Sequence, residues 1–128
     1  MSYFFAKTLE APFEEVIDRV TDALQQKGFG ILTEIDVKET LKKKLDVDFR
    51  PYRILGACNP PMAHKALQVE DKIGTMLPCN VIVQDLGGGK IEVAAVDPAA
   101  SMMAVKNAEL ENVAGEVRAM LEAVIDGL

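Results

Sequence analysis

The chain of 128 residues holds two cysteines, and each is followed by asparagine: Cys58–Asn59 in "ILGACNPPMAHKAL" (54–67) and Cys79–Asn80 in "MLPCNVIV" (76–83). A proline lies within two residues of each cysteine, Pro60 in the first stretch and Pro78 in the second. Two thiols with His64 or Asp97 beside them could hold a small ligand or a soft metal, or could carry redox or nucleophilic chemistry. The same residues suit a plainer use, because cysteine packs as a small hydrophobe and asparagine caps helices and turns. The structural use ranks first, a ligand or soft-metal site second and thiol chemistry third.

Several sharper chemistries fail on spacing. There is no Cys-x-x-Cys pair and only one histidine, so no metal and no cofactor is assigned. His64 has no sequence-adjacent group to orient it as a base. Pro78–Cys79 lacks the second cysteine and the His-x-Glu of a zinc deaminase. Gly87, Gly88 and Gly89 lie between two β-like runs, without the following helix and Gly-Lys-Ser/Thr ending of a phosphate loop. Met62, Met76, Met102 and Met103 read as core filler rather than copper ligands.

The elements that must position these residues follow from apolar periodicity. "YFFAKT" (3–8) reads as a strand. After Pro12, Phe13, Val16, Ile17, Val20 and Leu24 recur at helical spacing up to a stop at Gly28. A second strand lies in "GFGILTEIDV" (28–37), and Asp36 with Glu39 predicts a capped short helix through Lys44. "YRILGAC" (52–58) is a third strand, and Asn59 before two prolines is a good start for a helix over 60–70. Strands at 77–86 and 90–96 flank the glycine hairpin, and a long amphipathic helix runs from about Asn107 along Leu110, Val113, Val117, Leu121 and Val124. This order is not a regular βαβ alternation. It predicts an α+β fold, one domain over residues 1–128, with two long helices on one face of a mainly antiparallel sheet.

Composition narrows the partners. With 20 acidic and 14 basic residues the net charge is −6, which works against nucleic acid, and "LKKKL" (41–45) reads as a solvated helix face. No apolar run approaches the ~18 residues that cross a bilayer, and the N-terminal stretch has no signal-peptide pattern. The expected compartment is the cytoplasm, with both thiols reduced and no membrane partner.

"YRILGACNPPMAHKAL", then "IGTMLPCNVIV", then "VDP" (96–98) resemble the bacterial and archaeal family known as domain of unknown function 302. The resemblance runs along nearly the whole chain. It implies a β-α-β4-α fold similar to that of the TATA-binding protein, and homodimers. It implies no reaction. DNA binding does not follow from the fold analogy, because Asp85, Glu92 and Asp97 are expected at the surface of an acidic chain.

An antiparallel meander of the second to fifth strands brings the Cys58–Asn59 and Cys79–Asn80 corners to one sheet edge. Asp97 and Pro98 end the last strand at that edge, and the helix after Asn59 is expected to carry His64 over it. A parallel crossover would instead separate the cysteines by roughly 20 Å. The candidate site is therefore Cys58, Asn59, His64, Cys79, Asn80 and Asp97. Asn59 is expected to cap its helix and Asn80 to bond across the corner. The function this suggests is a small dimeric ligand-binding or sensing module, with a thiol-dependent redox protein or enzyme as the alternative. Apolar residues on both parities of the fourth and fifth strands, such as Val81 and Val83 against Ile82, Ala94 and Val96, predict a homodimer through the sheet face away from the long helices.

Overall fold

Alternating burial along the strands gives one side of a sheet to a core and leaves the other open. The computed structural model describes residues 2–128. Strands β1 (Phe4–Glu10), β2 (Gly30–Asp36), β3 (Tyr52–Cys58), β4 (Cys79–Gly87) and β5 (Lys90–Val96) form one sheet in the order β1-β5-β4-β3-β2. Every neighbouring pair is antiparallel. The fold is α+β, as the segment pattern predicts.

Helices α1 (Phe13–Gln26) and α5 (Ala108–Asp126) cover one face. On α1 the buried side chains Val16, Ile17, Val20 and Leu24 fall on one stripe, and Glu14 and Glu15 sit in the first turn, where the helix dipole favours negative charge. Its end is a paired cap: Gly28 N–H donates to the Gln25 carbonyl and Phe29 N–H to the Leu24 carbonyl, each at 3.0 Å. Arg53 on β3 donates to Glu14 of α1 at 2.8 Å and to Glu34 of β2 at 3.0 Å, tying helix and edge strand to the sheet. The hairpin between β4 and β5 turns at Gly88 and Gly89, both with positive φ (64° and 80°), the conformation a tight two-residue hairpin needs.

Three shorter α-helices and one 3-10 helix fill the connections. Helix α2 (Val37–Leu45) starts on the Asp36 side chain, which accepts from Glu39 N–H at 2.9 Å. Its lysines are solvated: Lys42 and Lys43 pair with Asp46 and Glu39 at the surface. Helix α3 (Pro60–Val69) and a 3-10 helix (Asp71–Met76) join β3 to β4, and a one-turn helix α4 (Pro98–Ser101) precedes α5. The sequence pattern did not foresee α4, because four residues are too few for periodicity to register.

The apolar interior has two parts. The larger joins α1 and α5 to Leu55, Ala57, Val81, Val83, Ile91 and Val93 of the sheet. The smaller gathers Ala66, Ile73, Met102, Leu110 and Ala114 under α3 and the start of α5. No helix among the described residues is long and apolar enough to cross a membrane.

Candidate functional site

The two cysteines meet at the seam between those apolar clusters. In the β3–β4 ladder Ala57 faces Cys79, so Cys58 lies one residue beyond Cys79's partner on the neighbouring strand. Both thiols are free. Both line a cavity of about 40 Å³ whose walls come from the larger cluster (Phe29, Ala57, Val117) and the smaller one (Ala66, Met102, Ala114). That volume exceeds the 10–15 Å³ or so a single water needs, but the walls offer little for water to bond to. The cavity is thus an apolar gap left where two cores abut.

Cys79 is 8 % exposed. Burial, reinforced by the nearby Cys58 charge, pushes its thiol up to about 11. It therefore stays protonated at neutral pH and behaves as a wall rather than as a nucleophile. Cys58 is only half-buried and ends β3, immediately before α3.

Asn59 does what its place dictates. Its Oδ1 accepts from Met62 N–H at 3.4 Å, capping α3, and its Nδ2 donates to the Lys27 carbonyl at 3.3 Å. The second bond fastens the start of α3 to the end of α1. Asn80 does something else: it is exposed, pairs with Gly56 in the ladder, and lines a trough on the opposite face of the sheet. The expectation that Asn80 bonds across the cysteine corner fails for a geometric reason. Cys79, Val81 and Val83 point to the helices, so Asn80 must point away.

Asp97 and His64 also part from the corner. His64 is exposed on α3 and does not line the cavity, because the α3 face turned inward is that of Met62, Ala63 and Ala66. Asp97 is not at the surface but 6 % exposed. Its Oδ1 accepts from Ala99 and Ala100 N–H at 3.0 and 3.3 Å, capping α4, and its Oδ2 accepts from Arg118 Nε at 3.0 Å. It faces a separate cleft, while the next residue, Pro98, lines the cysteine cavity. Among the described residues no group of three or more His, Cys, Asp or Glu side chains could hold a metal ion.

Sequence reasoning missed Arg118. A signal existed. Continuing the buried parity Ile91, Val93, Ala95 reaches Asp97, and a buried carboxylate demands a partner. Arg118, one residue past the buried Val117 on α5, supplies it.

The architecture defines a small α+β protein with a five-stranded antiparallel sheet backed by two long helices. The chain belongs to the family described as domain of unknown function DUF302, whose model matches residues 5–128. It is similar to an uncharacterized conserved DUF302 protein from Bacillus stearothermophilus, whose crystal structure superposes with a TM-score of 0.90 at 28% identity, over 98% of each chain. No curated protein matches it. The family carries no assigned activity, so any function must be argued from the site.

Proposed function

We propose that this chain is a cytoplasmic binding or sensing module that works as a two-fold homodimer and holds a small apolar ligand or ligand moiety at the Cys58/Cys79 edge. One observation carries the reading: both thiols border an apolar cavity at the seam of two clusters, and Cys79's proton is held to about pH 11. At pH 7 that leaves about one thiolate in ten thousand at Cys79, too few for a thiol enzyme built on that residue. Well-packed interiors rarely leave such gaps, and Met62 and Met102 are side chains that can move to widen this one.

The open sheet face supports the dimer. Ala6, Ala94, Ile82, Ile54 and Ile35 are successive ladder partners, an apolar row crossing all five strands. Ile35 is 46% exposed, and Phe4 beside the row 41%. Along one side runs a polar border in which Arg50 donates to Gln84 and Gln84 to Glu92. An apolar centre with a polar rim is what a second copy of the same face would complement. Nucleic acid and membrane are not among the proposed partners, given the net charge of −6.

Native mass spectrometry of protein purified without chelator tests both parts. The expected result is a dimer carrying a small organic molecule and no metal, with Cys79 unlabelled by iodoacetamide near neutral pH until the protein unfolds. Rapid labelling of native Cys79 would overturn the binding reading in favour of thiol chemistry. A monomer at high micromolar concentration in sedimentation would overturn the dimer.

A further inference from the structure

The cysteine cavity has a neighbour. A cleft of about 520 Å³ lies on its α4–α5 side, within the 300–1,000 Å³ or so usual for small-molecule sites. Met102, Leu110 and Ala114 line both spaces, so these three apolar side chains stand at the boundary between them. Of these Met102 is the most adaptable, an unbranched chain with three rotatable bonds.

The cleft supplies what the cavity lacks. Arg118 lines it with its side chain 42% exposed, and its Nε is pinned to the buried Asp97 carboxylate. Its Cζ stands 5.0 Å from the Phe5 ring centroid, a second contact on the same guanidinium. The one bond to Asp97 uses one of five N–H donors, and among the described residues no other group accepts from its two terminal nitrogens. A fixed guanidinium with its terminal fork free is suited to a planar carboxylate. Lys106 adds a second cation at the cleft, and two carboxylates face the pair, Asp97 already bonded to Arg118 and the exposed Glu111, so the lining has no surplus of positive charge. The balance fits a ligand with one anionic group better than a phosphate dianion.

We propose that cleft and cavity are two halves of one site for a short-chain aliphatic carboxylate, the carboxylate on the terminal nitrogens of Arg118 and the tail passing Met102 into the cavity beside Cys79. This deepens the binding function proposed above and rests on it. Asp97 acts here as a positioning residue: it holds the guanidinium and does not touch the ligand.

Titration calorimetry on the full chain with sodium acetate, sodium hexanoate and 1-hexanol tests the proposal. Hexanoate is expected to bind at least ten times more tightly than either of the others, with affinity rising about fourfold per methylene from butyrate until the cavity is full. Arg118→Gln would leave Asp97 buried and unpaired, so the informative variant is Arg118→Lys, which keeps the charge and loses the fork. It is expected to weaken hexanoate about tenfold and to leave hexanol unchanged. Met102→Phe, which blocks the passage, should bring hexanoate down to the affinity of acetate. If hexanol binds as well as hexanoate and Arg118→Lys is silent, the carboxylate proposal falls while the apolar cavity reading stands. If acetate equals hexanoate, or Met102→Phe changes nothing, the tail does not enter the cavity and the two-part site is overturned. If none of the three binds, both readings fall.

Discussion

At the end of β3 the dipeptide Cys58–Asn59 leaves the sheet for a helix, whereas at the start of β4 the same dipeptide, Cys79–Asn80, enters it, and the four side chains end in four different situations. Cys79 is sealed in the core with its thiol pushed up, while Cys58 is half-buried. Asn59 caps α3 and grips the end of α1; Asn80 stands on the far face of the sheet. A repeated dipeptide thus does not make a repeated function. What decides is the phase of the strand at each cysteine: where the strand continues, the two side chains must take opposite faces, and where it ends, the asparagine is free to turn into a cap.

The largest expected effect lies between the two corners. Gly56 faces Asn80 across the ladder, and an added Cβ there would run into the Thr33 hydroxyl and come within 2.7 Å of Pro78 Cγ. Pro78 is rigid and immediately precedes Cys79, so the clash is transmitted to that corner. Gly56→Ala is expected to cost about 3 kcal/mol in urea unfolding, the upper end of ordinary overpacking. A cost below about 0.5 kcal/mol would mean that the Cys79 corner is loose, and the contrast with Cys58 would lose its basis.

Next comes the thiol itself. The folded-state pKa of Cys79, about 11, stands above its ordinary value of 9.0, so between these values the native protein holds a proton that the unfolded chain releases. Stability from this group is whole below about pH 9 and is lost as pH rises toward 11. The full loss is on the order of 2–3 kcal/mol. Cys79→Ala should flatten that part of the stability–pH curve and Cys58→Ser should leave it nearly as it is. An equal response from both variants would erase the difference between the corners.

Legibility followed the same physics. The limits of β3 and β5, the hairpin and the Asp36 and Asn59 caps were readable because each depends on a few adjacent residues of distinctive type. The convergence of the two cysteine-bearing strands was readable from antiparallel order alone. The cavity was not, since its walls are Ala66, Ala114, Met102 and Val117, residues that carry no signature until two clusters fail to merge around them. His64 was misplaced because the inward face of α3 is marked only by Met62 and the small Ala63 and Ala66, while Leu67, as apolar as any of them, stands exposed. Asn80 and Asp97 were misplaced for a different reason: strand parity already assigned Asn80 to the open face and Asp97 to the core, but chemical type was given more weight than parity.

The smallest expected difference separates the two asparagines. Asn59→Ala removes a cap from α3 and a side-chain bond to the Lys27 carbonyl, at a cost of about 1–2 kcal/mol. Asn80→Ala removes an exposed amide for which no protein bond is seen among the described residues, and is expected to change stability by less than about 0.5 kcal/mol. The two variants differ by one amide each and sit one residue after chemically identical neighbours, so composition cannot account for a gap between them. Thermal unfolding of both, at one concentration because the proposed dimer would couple stability to mass action, reads the gap directly. Were Asn80→Ala the costlier, the amide would be bonded to something outside this chain. The open face of the sheet, where Asn80 stands beside Ile82 and Val96, would then be the place to look for it.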